Sequence, residues 1–389
     1  MRILYLAHDL DDSAIWRRVA MLRAGGATVH LAGFRRREGP LPEPATLLGR
    51  TADARLARRA FSVLRAGAGL GRRLATQEAP DVILARNLEM LALAARAKAL
   101  WPEALVVYEV LDIHRMMLGE GLRAQAMRAL ERRLLRRVGL VLTSSPGFIN
   151  EYFQPFGQTR APIRLIENKC FYPGAAIPPV PAPQPVTAPI TIGWFGILRC
   201  AWSLDCLDRV TRASPGRYRV LLRGKPALDQ LPRFHETVAA NPDLEFGGPY
   251  RNPEDLAGIY GQVHLSWLID RYDAGKNSDW LLPNRLYEGC RHHAVPVALA
   301  GTEVASFLGD CNIGLTVAAP DVDQVSDLLG HLDPPRVEVL RGRVRDVPEA
   351  VWATGPEECQ DVTGLMAQIA AARGRRRQAA LRRKGWFTT

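Results

Sequence analysis

Two charged side chains one helical turn apart, Arg285 and Glu288, stand in the segment SDWLLPNRLYEGCRHHAVPVALAG. Residues three apart are neighbours on one face of a helix, so the guanidinium and the carboxylate would lie side by side. A guanidinium neutralises phosphate oxygens, and a carboxylate accepts hydrogen bonds from hydroxyl groups. The pair therefore suits a ligand that carries both phosphates and hydroxyls. The simpler alternative is an exposed ion pair of little energetic weight on a solvated helix.

Further polar and basic side chains follow predicted strands, and ligands of open parallel sheets bind beyond the carboxyl ends of the strands. This set comprises Asp112 and His114 in the first half of the chain, and Gly196, Arg199, Arg223 and Lys225 in the second. Arg199 comes after a predicted glycine loop and before a helix that Ser203 is expected to cap, a suitable place for phosphate oxygens. We expect these basic groups to hold a nucleotide diphosphate, which Arg285 would neutralise as it becomes the leaving group.

The elements that must position these residues alternate between short apolar runs and helical periodicity. This spacing is typical of βα units and predicts parallel, doubly wound sheets whose strands are buried on both faces. The first-half strands are predicted at Arg2–Ala7, Thr28–Phe34, Val82–Ala85, Leu105–Glu109, Leu140–Ser144 and Ile163–Ile166. The second-half strands are predicted at Ile190–Phe195, Tyr218–Arg223, Leu244–Gly247, Val263–Ile269, Val295–Ala298 and Ile313–Leu315.

Two helix starts are marked by capping residues. Ser13 is a suitable N-cap for a helix that runs to Arg23 and stops at the following glycine pair. Asn252 is a suitable N-cap for a second helix, because Pro253 would then occupy the first helical position.

The pattern divides the chain into four parts. Residues 1–172 form a Rossmann-like domain, and residues 173–189 form a proline-rich linker, since dense proline prevents regular structure. Residues 190–345 form a second Rossmann-like domain. Residues 346–389 form a helical segment with a basic tail that could pack back on the first domain. The predicted fold class is thus α/β, with two doubly wound domains facing a cleft.

Composition narrows the class of protein. At 389 residues and 47% hydrophobic content, the chain suits two globular domains. It has no apolar run long enough to cross a membrane, and its N-terminus is expected to be a strand and not a signal peptide. The six cysteines include no CxxC pair, so neither a zinc site nor a disulfide framework is expected. The absence of GxGxxG, GxxxxGK[ST] and GxSxG motifs argues against nicotinamide enzymes, P-loop NTPases and α/β-hydrolases.

The net charge of +11 is concentrated in Arg55–Leu74, Arg128–Arg137 and Gly374–Trp386. Each segment mixes basic with apolar residues, as basic amphipathic helices at anionic membrane surfaces do. Solvated helix faces are the alternative for any single segment. A basic nucleic-acid-binding protein is a further alternative, but no recognition motif accompanies the charge, so no nucleic-acid partner is expected.

The segments TSSPGF, LIENK and NRLYEGC–VPVA resemble the GT-B glycosyltransferases, in the broad family-4-like group that builds bacterial cell-surface polysaccharides. On that resemblance Arg285 would contact the donor diphosphate and Glu288 the ribose. Arg199 lies close to the position of the group's phosphate-binding arginine. Retaining members usually carry a second Glu eight positions earlier, where this chain has Trp280, so inversion and retention both stay open.

The resemblance implies a donor that is a nucleotide-diphosphate sugar, with a UDP-sugar as the first expectation, and no tightly bound cofactor or metal. The acceptors of the group are commonly lipid-linked saccharides at the inner membrane leaflet. The implied location is therefore cytoplasmic and peripheral on the inner membrane. A sugar-nucleotide epimerase of the same fold is the alternative.

A narrower resemblance concerns the first domain. AHDLDDSAIWRR and VVYEVLDIH are similar to segments of the inverting glucuronosyltransferase of xanthan assembly. The match would make Asp112 the general base that removes the acceptor's hydroxyl proton, with His114 as the second candidate. His8 and Asp9 would orient the acceptor. The neighbouring Arg17 and Arg18 would hold an acceptor phosphate, or would only form a helix face.

Overall fold

The protein consists of two parallel sheets with helices on their faces, and the computed structural model describes residues 1–50, 65–174 and 176–383, with side chains up to residue 375. The first sheet has seven strands in the order β3-β2-β1-β4-β5-β6-β7. The second has six, in the order β10-β9-β8-β11-β12-β13. The predicted α/β class with two doubly wound sheets is confirmed.

The strands of the first sheet are β1 (Arg2–Ala7), β2 (Thr28–Arg35), β3 (Thr46–Arg50), β4 (Val82–Arg86), β5 (Leu105–Val110), β6 (Val138–Thr143) and β7 (Ile163–Leu165). Those of the second are β8 (Ile190–Leu198), β9 (Tyr218–Pro226), β10 (Leu244–Phe246), β11 (Leu265–Trp267), β12 (Val295–Leu299) and β13 (Leu315–Val317). Every predicted strand overlaps one of these. The edge strand β3 was not predicted, because only Leu48 within it is buried and its pattern is correspondingly weak.

Helices cover both faces of each sheet. In the first half they are α1 (Ser13–Ala24), α2 (Leu70–Arg73), α3 (Leu88–Leu100), α4 (Leu122–Leu135) and α5 (Pro146–Phe148), with a 3₁₀ turn at Arg115–Met117 and a π-helical turn at Ile149–Phe153. In the second half they are α6 (Ala201–Ala213), α7 (Phe234–Ala239), α8 (Leu256–Tyr260), α9 (Asn277–Trp280), α10 (Asn284–Arg291), α11 (Glu303–Cys311), α12 (Val322–Gly330), α13 (Pro334–Asp346), α14 (Glu349–Trp352) and α15 (Pro356–Arg383). No helix in the described part of the chain carries an apolar stretch sufficient to span a bilayer.

The last helix, α15, returns to the first sheet. Cys359, Val362 and Met366 are buried in the same apolar cluster as Ile3 and Tyr5 of β1. One face of β1 is therefore covered by side chains more than 350 positions away in sequence. The predicted basic segments lie partly outside the described residues, because positions 55–64 and the side chains after 375 are not described.

Three predicted helix caps are wrong. Asp12 caps α1 by accepting the Ala14 N–H at 2.9 Å, so Ser13 is already inside the helix. The Cys200 sulfur accepts the Ser203 N–H and caps α6, which leaves Ser203 in the first turn. Residues 252–255 form a turn, α8 begins only at Leu256, and the Asn252 side chain donates to Glu288 instead of capping a helix.

Candidate active site

The strand order of each sheet reverses at one switch point. The side chains that follow the two strands flanking this point lie close together. In the first sheet the switch lies between β1 and β4, where the His8 ring and the Asn87 side chain are 3.4 Å apart. In the second it lies between β8 and β11, where Arg199 pairs with Asp270 at 3.1 Å. Ligands of doubly wound sheets bind in the crevice at such points, so these residues mark the candidate site.

The carboxylate of Glu288 is buried on α10, with only 3% of the residue exposed. Asn252 donates to its Oε1 at 2.5 Å, and the Tyr260 hydroxyl donates to its Oε2 at 3.3 Å. Burial raises the pKa of Glu288, although Arg17 and the two hydrogen bonds oppose that rise. The carboxylate thus has two ready hydrogen-bond donors that hydroxyl groups of a ligand could replace.

Arg285, one turn earlier on the same helix, does not form an ion pair with Glu288. Its Nη2 donates instead to the Leu268 carbonyl at 3.2 Å, at the end of β11. Its Nε is buried and has no acceptor among the described residues. A buried N–H donor without a partner is uncommon and suits an anionic ligand. The alternative of a solvated surface pair is therefore wrong for these two residues.

Arg223 is partly engaged by the backbone. It donates to the carbonyls of Gly248 and Pro249 at 3.1 and 3.2 Å, and so holds the turn that precedes Asn252. Its guanidinium, Arg285 and Glu288 all act electrostatically on the hydroxyl of the half-buried Tyr250. Arg223 accordingly belongs to the same polar cluster, with a part in shaping the loop.

Gly196 lies within a strand, and the predicted glycine loop is wrong. β8 continues to Leu198, with Gly196 opposite Gly224 and Ile197 opposite Lys225 in β9. Gly196 has φ of 102°, a backbone conformation that glycine adopts without strain. A Cβ on Gly224 would collide with the Gly196 carbonyl, so the two backbones need glycine there. The exposed Lys225 stands one position beyond this close approach.

Asp112 follows β5 and stands opposite the second domain. The residue is exposed, yet the surrounding protein displaces enough water to raise the pKa of its carboxyl to about 6. Arg199 opposes that rise, and Asp273 adds to it. Both belong to the second domain, so Asp112 lies where the two domains meet. A carboxylate with this pKa is ionised at neutral pH and can accept a proton.

His114 has a local structural contact. Its Nδ1 accepts the Met116 N–H at 3.2 Å and begins the 3₁₀ turn. In the neutral ring the other nitrogen, Nε2, is then the protonated one and is a donor. This geometry favours Asp112 over His114 as the proton acceptor.

The loop that carries Asp112 is held by the second domain. The side-chain amide of Asn277 donates to the Ile113 carbonyl at 2.7 Å and accepts the Ile113 N–H at 3.0 Å. Arg115 reaches the same segment, with its Nε 3.2 Å from Asp273. These contacts tie the position of Asp112 to the segment that follows β11.

An aromatic ring joins the two halves of the site. The guanidinium carbons of Arg115 and Arg199 lie 4.0 and 4.6 Å from the centre of the Tyr272 ring. Cations over an aromatic face are attracted to its negative π-system. Tyr272 therefore contacts a cation from each domain. Neither Tyr272 nor Asn277 was predicted from the sequence, because both act across the domain boundary, where local patterns carry no signal.

The two arginines of α1 differ in role. Arg18 is buried and pairs with Glu109 at 2.6 Å, and Glu109 also accepts the Tyr5 hydroxyl at 2.7 Å. Arg18 is thus part of a buried network, so it is not available to hold an acceptor phosphate. Arg17 pairs with no carboxylate in the described part of the chain and acts electrostatically on Glu288.

The residues suggested for acceptor orientation lie at the first switch point. Burial lowers the pKa of His8, so its ring is neutral at pH 7. Asp9 accepts the Asp11 N–H at 3.1 Å and lies 3.1 Å from Arg36. Both residues are therefore held in place beside the cleft.

Comparison with known proteins identifies the family of the chain. A family model described as "Glycosyl transferase 4-like domain" matches residues 12–169. The chain is 44% identical over 380 residues to the succinoglycan biosynthesis protein ExoL of Rhizobium meliloti, covering 95% of this chain and 94% of the relative. The predicted resemblance to the family-4-like GT-B glycosyltransferases and the predicted enzyme class, a glycosyltransferase, are confirmed.

Solved structures share the fold at low identity. Sucrose-phosphate synthase from Thermosynechococcus elongatus has a TM-score of 0.71 at 14% identity, covering 96% of this chain and all of that one. Anabaena HepE in complex with UDP and glucose has a TM-score of 0.61 at 12% identity, covering 95% and 99%. WaaG, a glycosyltransferase of lipopolysaccharide biosynthesis, has a TM-score of 0.62 at 14% identity, covering 93% and 99%. The chain belongs to the GT-B glycosyltransferases with a glycosyl transferase 4-like domain, the family that it shares with ExoL.

Proposed function

We propose that this glycosyltransferase moves a sugar from a UDP-sugar to a lipid-linked saccharide acceptor during exopolysaccharide synthesis. The name of its relative ExoL supports the pathway, and the UDP and glucose bound to the fold neighbour HepE support the donor class. The observation that carries the donor site is the buried Glu288 beside the partner-free Nε of Arg285. The epimerase and nucleic-acid-binding alternatives are not favoured.

Donor binding uses the second domain. The ribose hydroxyls donate to Glu288 and replace the Asn252 and Tyr260 donors. The diphosphate takes the free Nε–H of Arg285, and Arg199 turns from Asp270 toward it. Charge-assisted hydrogen bonds from guanidinium to phosphate are about twice as strong as neutral ones. The two guanidinium groups neutralise the negative charge that develops on the departing diphosphate.

Transfer itself uses the first domain. The acceptor hydroxyl oxygen forms a bond to the anomeric carbon while Asp112 takes its proton. The bond from that carbon to the diphosphate oxygen breaks, and its electron pair leaves on the nucleotide. This direct displacement inverts the anomeric centre. Trp280, eight positions before Glu288, supports inversion, because it packs against the apolar core of the first domain and offers no carboxylate.

The donor site is tested by thermal shift with UDP, GDP and dTDP in the wild type, Glu288→Gln and Arg285→Ala. We expect UDP to raise the wild-type midpoint, since a ligand of the native state stabilises it. Glu288→Gln keeps the shape but removes the charge, and we expect it to weaken UDP binding about tenfold or more. Equal UDP shifts in the wild type and both variants would remove this site from the proposal.

The acceptor's lipid implies contact with the cytoplasmic face of the inner membrane. Leu122 and Leu130 on α4 are 83% and 46% exposed, beside the exposed Arg132 and Arg133. Arg128 is not part of this surface, since it donates to the Met117 and Gly119 carbonyls. Exposed leucines among arginines support docking of α4 at an anionic surface. Co-sedimentation with phosphatidylglycerol vesicles tests it, and a protein that stays in the supernatant contradicts it.

A further inference from the structure

A cavity of about 830 Å³ opens at the edge of the first sheet that is opposite to the active site. It is lined by Val138, the first residue of β6, and by Pro162, which directly precedes β7. Asp112 follows the other, carboxyl end of β5. The cavity is therefore separate from the cleft, and the proposed transfer reaction gives it no role.

Four arginines from three separate segments converge on this cavity. They are Arg132 and Arg136 at the end of α4, Arg160 in the loop before β7, and Arg373 of α15. No Asp or Glu is among the lining residues. Within the described residues none of the four forms an ion pair. Like charges four positions apart on a helix repel each other, so the arrangement is unfavourable until an anion enters.

Two of these arginines are already oriented. Arg132 donates to the Phe156 carbonyl at 3.1 Å, and Arg373 donates to the Val138 carbonyl at 3.1 Å. Neutral carbonyls hold the guanidiniums without cancelling their charge, and each guanidinium keeps further N–H donors. The side chains of Arg136 and Arg160 have no hydrogen-bond partner in the described part of the chain. The cavity thus combines two anchored cations with two free ones.

The remaining lining is not charged. Thr159 accepts the Ala161 N–H at 3.0 Å through its hydroxyl oxygen and keeps its own O–H as a donor. Leu135 and Val138 supply apolar surface. A bare phosphate is much smaller than the cavity, whose volume is in the range of pockets for small organic ligands. The chemistry therefore suits an anion that has an organic part.

We propose that this cavity binds a phosphate ester, as a second anion site apart from the active site. Guanidinium forks match phosphate oxygens bidentately, which single lysines do not. The apolar lining takes the organic part of the ester. Because the three segments include α15, the site exists only when the C-terminal helix is packed on the first domain.

The test compares two double variants of the full-length protein. Arg136→Gln with Arg160→Gln removes the two free cations of the cavity. Arg137→Gln with Arg164→Gln removes the same charge from exposed positions of the same region that neither line it nor belong to the α4 surface. Arg160→Gln alone serves if the first double variant does not fold. The soluble probe is glycerol 3-phosphate, measured by titration calorimetry. The lipid probe is vesicles of phosphatidylglycerol against phosphatidylcholine, measured by co-sedimentation.

We expect the cavity variant to bind at least one probe about tenfold more weakly than the control variant, which should match the wild type. A loss with glycerol 3-phosphate identifies a free phosphate ester, and a loss with phosphatidylglycerol vesicles alone identifies a lipid headgroup. An equal loss in both double variants would mean diffuse surface charge and would overturn the site. Wild type that binds neither probe, or variants that bind as it does, would also overturn it.

Discussion

At the scale of single residues, burial decides whether Arg285 and Glu288 form a weak surface ion pair or serve as separate ligand-binding groups. Arg285 and Glu288 on an exposed helix would be a weak ion pair. In the fold, the buried Glu288 carboxylate accepts hydrogen bonds from Asn252 and Tyr260. Arg285 points away from it and donates to the Leu268 carbonyl. The energy of a buried polar group depends on its partners, so this separation leaves both groups ready for a ligand.

Asp112→Asn tests the proposed base. The amide keeps the shape but cannot take a proton, so we expect turnover to fall about 100-fold or more while UDP affinity is unchanged. The carboxylate form is the active one, and its pKa is about 6. Wild-type turnover should therefore rise with pH through about 6 and level off above it. His114→Gln is the control and should retain this acidic limb. Unchanged turnover in Asp112→Asn would place the base elsewhere.

At the scale of elements, the loop after β5 and helix α9 form one unit. Asn277 makes two hydrogen bonds to the backbone of Ile113, next to Asp112. Ser145 bonds the Trp280 carbonyl, and a side chain on Gly147 would collide with the Trp280 backbone. The second domain therefore positions the proposed base of the first.

Asn277→Ala should separate positioning from donor binding. Removing both hydrogen bonds leaves the Asp112 loop less well placed, so we expect turnover to fall roughly tenfold to 100-fold. UDP affinity should stay within about twofold, because Glu288 and Arg285 are untouched. Asn277→Asp keeps the acceptor for the Ile113 N–H and should be intermediate. Steady-state rates and UDP titrations decide, and a parallel loss of both would indicate a general structural defect.

A buried carboxyl joins α4 to the first sheet without any cation. Glu131 is 1% exposed and accepts the hydroxyls of Tyr108 and Tyr152 at 2.9 and 2.7 Å. Burial raises its pKa from 4.5 to about 7. Between these values the native state binds more protons than the unfolded state, so this residue lowers stability as pH rises through that window.

Glu131→Gln should remove that pH dependence. We expect the stability of the variant relative to the wild type to increase by roughly 3 kcal/mol between pH 4.5 and pH 8. Urea unfolding at several pH values measures the free energy of unfolding of both proteins. In the difference between variant and wild type, the contributions of the other titratable groups cancel. A difference that is constant over this range would show that Glu131 has an ordinary pKa.

At the scale of the whole molecule, α15 closes the first domain from the far end of the chain. The Thr363 hydroxyl donates to the Gly25 carbonyl at 2.6 Å. A Cβ on Gly25 would collide with the Cys359 backbone, so glycine permits the close approach of α1 and α15. The same helix supplies Arg373 to the proposed phosphate-ester site.

Truncation before Pro356 should therefore unfold the first domain. Removing the three buried side chains Cys359, Val362 and Met366 forfeits roughly 4–8 kcal/mol, comparable to the stability of a domain. We expect aggregation or loss of the cooperative transition in calorimetry. A variant that ends at Arg375 keeps these side chains and should unfold like the full chain. If the truncation before Pro356 also kept the cooperative transition of the full chain, the helix would not be needed for the fold.

The sequence by itself determined the α/β class and the approximate strand positions. Strands such as β1 and β5 are buried on both faces and are therefore continuous apolar runs. Such runs can be recognised in the sequence without tertiary information. It also singled out Arg285, Glu288 and Asp112, since spacing places charged residues at strand ends. Short edge strands such as β3 carry too little apolar pattern to be predicted in this way.

Only the tertiary structure decided which partner each polar group takes. Asn252 was predicted to cap a helix, yet its side-chain amide donates to Glu288. Arg18 forms an ion pair with the buried Glu109 and cannot bind an acceptor phosphate. The Asn277 contact joins residues 164 positions apart, and the arginines of the phosphate-ester site come from three segments. Hydrogen bonds and charge act over a few ångströms in space, whatever the separation in sequence. The function of such groups is therefore settled when the domains pack.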